Sequence, residues 1–134
     1  MTFGDKTIEP LNIAIAESYK DIFNLKVYGA IFYNHESEIR QDEYVTRKIT
    51  KSVARIFYGK QKNLYLGDIK TKIDWGYAED YVKAAYQIMQ LPKPDVFVIG
   101  TGKGHTVEHF VKKCFQYVGL NYKKYLRIDK KLFR

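Results

Sequence analysis

Val27-Tyr28-Gly29-Ala30-Ile31-Phe32-Tyr33 runs directly into Asn34-His35-Glu36-Ser37. The first seven residues are apolar on both alternating faces, the pattern of a strand covered on both sides in a parallel sheet. The run stops on polar residues, and polar side chains at the carboxyl end of such a strand face the crevice where α/β folds bind ligands. A second run of the same kind, Asp95-Val96-Phe97-Val98-Ile99-Gly100, comes later in the chain. Helical patterns lie between and around the two, so the predicted class is α/β with parallel strands.

Working outward, Leu11, Ile15, Tyr19, Ile22 and Phe23 recur at helical spacing behind Pro10, which the first turn of a helix tolerates. Val45, Ile49, Val53, Ile56 and Phe57 predict a second helix, closed by Gly59 in the left-handed conformation. Leu64-Tyr65-Leu66 is a short strand candidate, and the stretch to Asp74-Trp75-Gly76 reads as a turn. Tyr81, Val82, Ala85, Ile88 and Met89 predict a third helix ending before Pro92. Thr106 is placed to cap a fourth, carrying Val107, Phe110, Val111, Cys114 and Val118 and closed by Gly119. The alternation from Asn121 to Arg134 reads as an edge strand guarded by lysines.

The 134 residues are 46% apolar, enough for one modest core and too apolar for intrinsic disorder. Twenty-three Lys and Arg face 15 Asp and Glu, a formal charge of +8 that favours anionic partners without saying whether they are nucleotide phosphates, RNA or acidic membranes. The single cysteine, Cys114, has no internal partner, and the polar opening residues lack a secretory apolar core. No apolar run approaches the roughly twenty residues of a membrane helix. These features lead us to expect a soluble protein of a reducing, cytoplasmic compartment.

Several motifs have plainer readings that we prefer. Gly100-Thr-Gly-Lys-Gly104 lies between a strand and a helix, where backbone amides bind phosphate, yet its spacing fits neither the dinucleotide fingerprint nor a P-loop, leaving a glycine turn. Tyr44 and Lys48, like Tyr58 and Lys62, have the Tyr-x-x-x-Lys spacing of a proton-exchanging pair, but two matches in so Tyr- and Lys-rich a chain read better as helix-surface residues. His105 and His109 lack a third metal ligand in the sequence nearby. Cys114 reads as core. The lysine pairs 112-113, 123-124 and 130-131 near Tyr117, Tyr122 and Tyr125 could stack and pair with single-stranded nucleic acid, against the simpler reading of a solvated basic face.

Together, Phe32-Tyr-Asn-His-Glu-Ser37, Val45-Thr-Arg-Lys-Ile-Thr50, Leu64-Tyr-Leu-Gly67, Asp74-Trp-Gly76 with Asp80-Tyr-Val-Lys83, and Phe97-Val-Ile-x-Thr-Gly102 resemble the GDP-mannose 4,6-dehydratase family of extended short-chain dehydrogenases, in order and in spacing. The resemblance covers about residues 15–134. It implies part of a Rossmann-type fold: the last parallel strands of the nucleotide-binding sheet plus the substrate-binding C-terminal region, a single partial unit over residues 1–134. It also implies bound NADP, with hydride taken from the sugar C4 and returned at C6 after loss of water, a carbon-oxygen lyase of GDP-fucose biosynthesis. Matched by position, His35 and Arg40 correspond to NADP contacts, Asn34 and Lys48 to residues on the GDP-mannose side, and Arg134 to an arginine at the GDP end.

Glu38-Ile39 stand where the family has Pro-Arg, and Ile73 stands where it has an arginine before Asp-Trp. Aligned backwards from Asn34, the family's catalytic tyrosine and lysine fall on Asp5 and Glu9, and no glycine-rich cofactor loop is present. Tyr44 aligns with a family phenylalanine. We therefore expect a truncated chain with no catalytic residue, inactive alone and associating through an unpaired sheet edge, either with itself or with a separate Rossmann-bearing chain. The alternatives are a non-catalytic sugar-nucleotide-binding or assembly module and, last, a basic nucleic-acid-binding domain.

Overall fold

The computed structural model describes residues 8–133, with side chains from Leu11 onward. The chain forms two compact units, each built from two separate stretches: unit 1 comprises residues 1–35 and 76–101, unit 2 residues 36–75 and 102–134.

In unit 1, α1 (Ile8–Phe23) precedes β1 (Gly29–Phe32), and α3 (Ala78–Met89) precedes β5 (Val96–Ile99). β1 and β5 pair in parallel, Gly29 opposite Val96 and Phe32 opposite Ile99, as the two apolar runs predict. The ladder extends past both ends through Gly29 N–H to the Asp95 carbonyl (3.0 Å) and Tyr33 N–H to the Ile99 carbonyl (2.9 Å). Tyr28 Oη donates to the Leu91 carbonyl at 2.6 Å and ties the start of β1 to the end of α3.

The expectation that both strands are buried on both faces is not met. Phe32, Val96 and Val98 are 38%, 37% and 62% exposed, and α1 shows Leu11, Ile15, Tyr19, Ile22 and Phe23 to solvent. Two strands and two helices do not supply enough surface to cover these side chains, so their apolar character is unspent within unit 1. Among the described residues Tyr81 is the one fully buried side chain of this unit.

Unit 2 is closed. α2 (Val45–Phe57), β3 (Leu64–Leu66), β4 (Lys72–Tyr77, reaching into unit 1 at its end), α4 (Val107–Tyr117) and β7 (Leu126–Ile128) surround a core of Ile49, Val53, Ile56, Leu64, Leu66, Ile73, Val107, Val111 and Phe115. On α2 and α4 these side chains recur at three- and four-residue spacing, one face each, which buries them against the same core. Gly59 and Gly119, at φ +68° and +71°, close the two helices in the left-handed conformation expected of them. Thr106 Oγ1 accepts from His109 N–H at 3.1 Å, the predicted cap.

Two local expectations are corrected. The turn-like stretch ends at Thr71, where Asp68 accepts from Lys70 N–H (2.7 Å) and Thr71 Oγ1 (2.6 Å); Asp74-Trp75-Gly76 itself belongs to strand β4, paired antiparallel with β6 (Gly104–Thr106), Ile73 opposite His105. A glycine and flanking charges hid a strand whose one buried anchor is Ile73. The tail is not one edge strand either. Asn121 Oδ1 accepts from Lys123 N–H (3.1 Å) and starts the short helix α5 (Tyr122–Tyr125), leaving only three residues for β7, parallel to β3, before a 3-10 turn at Lys130–Leu132. Local side-chain capping wins over alternation there.

Candidate functional site

In unit 1, β1 delivers Asn34 and His35 at its carboxyl end, the first residues of the short strand β2 (Asn34–Glu36). Both are half-buried. His35 Nδ1 lies 3.0 Å from the Tyr33 carbonyl oxygen. A carbonyl only accepts, so in a ring with a single proton that proton belongs on Nδ1, and Nε2 is left as the acceptor. The imidazole sits against Tyr81, with centroids 5.2 Å apart, and Phe32 stands edge-on to both rings at 5.6 Å.

In unit 2, Glu36, Arg40, Tyr44 and Thr46 form a cluster at the entry to α2. Glu36 Oε2 accepts from Thr46 Oγ1 at 2.7 Å and lies 3.2 Å from Arg40 Nε. The Arg40 guanidinium carbon lies 3.4 Å from the centroid of the Tyr44 ring, within cation–π reach. Arg40 Nε is nevertheless buried without an aligned hydrogen-bond partner: the carboxylate is close enough to pair by charge but is not in line with the N–H. Beyond Tyr44, Asp42 meets Lys51 and lies 3.8 Å from Arg47, and the Lys51 hydrogen bond holds its carboxyl below the usual range. Lys48 lies one turn into α2, half-buried, and pairs with no carboxylate among the described residues.

The structure thus places Asn34 and His35 in unit 1 and Arg40 and Lys48 in unit 2. Arg134 lies outside the described residues, as does Asp5, and Glu9 is on α1. Sequence reasoning missed the partners of Arg40 and His35. The spacing of Glu36, Arg40 and Tyr44, four residues apart, was the available signal for the first group; nothing in the sequence pointed to Tyr81 as the neighbour of His35.

The remaining motifs have the following surroundings. In the glycine segment, Gly102 sits at φ +73° and its N–H donates to Asp74 Oδ2 at 2.8 Å. This bond pins the loop to β4 and engages the Gly102 amide with a carboxylate. Tyr44 belongs to Arg40, and Tyr58 is exposed at the end of α2. The His105 and His109 rings stack at 5.2 Å on the surface, and the described residues contain no group of three metal-binding side chains. Cys114 packs half-buried against the unit 2 core, and burial pushes its thiol up to about 11. Among the described residues no helix is long and apolar enough to cross a membrane.

A sequence model of the family described as GDP-mannose 4,6 dehydratase matches residues 12–133, almost the whole chain. The chain belongs to this family. It is 44% identical over 117 residues to GDP-mannose 4,6 dehydratase 2 of Arabidopsis thaliana, which covers 87% of this chain and 31% of that protein. The human GDP-mannose 4,6 dehydratase is 42% identical over 105 residues, 78% of this chain and 28% of its own length. The chain therefore spans about a third of the length of the curated relatives it matches. Among solved structures it resembles RMD from Pseudomonas aeruginosa complexed with NADPH (TM-score 0.81, 17% identity, 90% of this chain and 40% of that one). It also resembles a UDP-glucose 4-epimerase from Thermotoga maritima with UDP-glucose (TM-score 0.72, 23% identity, 88% and 38%). At these identities the structural likeness shows the fold: an α/β arrangement of the Rossmann type found in extended short-chain dehydratases and epimerases. In this family member Ile73, where the family motif leads one to expect an arginine, is 8% exposed and part of the unit 2 core.

Proposed function

We propose that this chain supplies a binding half-site for GDP-mannose and NADP in a GDP-mannose 4,6-dehydratase reaction, the lyase step that yields GDP-4-keto-6-deoxymannose in GDP-fucose biosynthesis, in a reducing, cytoplasmic setting. The observation that carries this reading is the segregation of charge. Unit 2 holds eighteen Lys and Arg against eight Asp and Glu, and unit 1 five against seven, so the whole positive excess lies on the unit that contains Arg40 and Lys48. Such a field draws a nucleotide diphosphate, and an unpaired ammonium such as Lys48 gives it a charge-assisted bond.

The residues fit a nucleotide cofactor as well. The Arg40 guanidinium, over the Tyr44 ring with a buried Nε lacking an aligned partner, suits a phosphate oxygen. In this reading His35 and Arg40 hold NADP, and Asn34, Lys48 and Arg134 hold the sugar nucleotide. The bound nicotinamide would supply hydride acceptance from the sugar C4 and return at C6. Tyr44, the first residue of one of the two tyrosine–lysine spacings, lies against the Arg40 guanidinium. Binding without turnover is the expected behaviour of the isolated chain.

A second reading, an assembly module completing a separate Rossmann-bearing chain or a second copy of itself, draws on the uncovered apolar side chains of α1, β1 and β5. Melting curves test both readings, since a ligand of the native state raises stability by mass action. Millimolar GDP-mannose is expected to raise the melting temperature, and Lys48→Ala to reduce the shift. A shift with single-stranded RNA but none with GDP-mannose would contradict the half-site. Elution as a monomer at all accessible concentrations would argue against self-association.

A further inference from the structure

Gly76 follows Trp75 in a motif that reads as a turn, yet its place in the fold is set by a ring. A Cβ built on Gly76 would lie 2.2 Å from Tyr81 Cε2 and 2.9 Å from Cζ, distances no side chain tolerates. Gly76 has no positive φ among the described residues, so backbone freedom does not explain it. What its missing side chain permits is the seating of Tyr81, which is 3% exposed and the buried anchor of α3. The same ring has aromatic neighbours: Tyr81 packs on His35 with ring planes 32° apart, and Phe32 meets the pair edge-on at 85° and 90°. Edge-to-face and offset contacts of this kind fix ring orientation better than apolar contact alone. With Nδ1 facing the Tyr33 carbonyl, one ring atom of His35 remains for a ligand, Nε2.

We infer that Gly76 and Tyr81 are positioning residues for His35, which they hold so that Nε2 accepts a hydrogen bond from a donor group of the nucleotide cofactor, a ribose hydroxyl or a carboxamide N–H, and does not bind a phosphate oxygen. The ligand half of this inference rests on the proposed reading of His35 as a cofactor contact; the positioning half rests on geometry within unit 1. The division of labour is chemically consistent. A neutral imidazole accepting at Nε2 is a poor partner for a phosphate, which also accepts, whereas Arg40 is a pure donor. Second-sphere partners that fix the tautomer of a functional histidine commonly decide what its other nitrogen recognises.

The test is a long-range 1H–15N correlation spectrum of the 134-residue chain labelled in its three histidines. Expected are an Nδ1–H tautomer for His35, its retention in Tyr81→Phe, and its loss to a tautomer mixture in Gly76→Ala and in Tyr81→Leu. His105 and His109, in unit 2, should be unchanged throughout, and unaltered amide signals of Ile31 and Val98, paired in the β1–β5 ladder, report that unit 1 remains folded in the variants. An Nε2–H tautomer in the unmodified chain, or His35 signals untouched by either Gly76→Ala or Tyr81→Leu, overturns the positioning. Should Gly76→Ala fail to fold, Tyr81→Leu against Tyr81→Phe decides alone.

Titration with NADPH and with 2′-phospho-ADP-ribose, which keeps the phosphates and both riboses but lacks the nicotinamide and its carboxamide, then addresses the ligand. A shift of the His35 Nε2 resonance with both assigns a ribose hydroxyl, and with NADPH alone the carboxamide; Gly76→Ala should weaken the effective ligand about three- to tenfold, the worth of one oriented hydrogen bond. No response to either ligand removes the cofactor reading of His35 while leaving the tautomer result to stand or fall by itself.

Discussion

Unit 2 and unit 1 belong to one chain of one family and differ in almost every physical respect. Unit 2 seals Ile49, Leu64, Val111 and Phe115 at 0% exposure and carries the positive excess on its outside. Unit 1 pairs two strands as expected but leaves Ile22 and Val98 more than half exposed and, among the described residues, buries a single ring, Tyr81. The difference teaches that strand pairing and core closure are separable. Register in β1 and β5 is set by backbone hydrogen bonds and a matching pattern, whereas closure requires enough surface to cover both faces.

The largest effect should come from emptying the closed core. Phe115→Ala removes a fully buried ring that stacks at 5.7 Å on Tyr125, and should cost about 3–5 kcal/mol in urea unfolding followed by the fluorescence of Trp75, the one tryptophan and a neighbour of the same core. Val98→Ala in unit 1 should cost less than about 0.5 kcal/mol by the same measurement. Equal costs would erase the contrast. Next in size, Gly76→Ala should cost about 1–3 kcal/mol through overpacking against Tyr81 in unit 1. Thermal melts read this by circular dichroism.

How much of this was legible in the sequence follows the same divide. The helix carrying Val45 to Phe57, its glycine stop and the Thr106 cap came straight from periodicity and punctuation, because those residues face a core that their own unit completes. The run from Val27 to Tyr33 announced a parallel strand and its partner correctly, but its apolar pattern describes a burial that the described residues do not provide. β4 was hidden by Gly76, whose role depends on Tyr81, a neighbour in space. The site was legible in part: position and family motif named Asn34, His35, Arg40 and Lys48, whereas the Tyr44 stack and the Glu36–Thr46 bond are tertiary facts that no local pattern encodes.

Smaller effects sharpen the comparison. Thr106→Ala should cost about 1 kcal/mol through loss of the α4 cap in unit 2. Acid should loosen unit 2 through Glu108, whose carboxylate accepts from Lys70 and from Tyr122 at 2.7 and 3.1 Å and is thereby held below its ordinary value of 4.5. A carboxyl lowered on folding contributes stability above its unfolded value and loses it as pH falls through the folded one, so the contribution should be complete above 4.5 and fade below it. Glu108→Gln should flatten that acid limb in melts taken across pH; because the group is exposed, the change is small.

The most direct test of the account is a backbone amide 1H–15N map of the chain titrated with GDP-mannose. The charge segregation and the placement of Lys48 on α2 lead us to expect saturable shifts concentrated in unit 2 around residues 40–51, with no conversion of the sugar nucleotide. Shifts confined to the outer face of α4 around Lys112 and Lys113, or no saturable shifts at all, would contradict it.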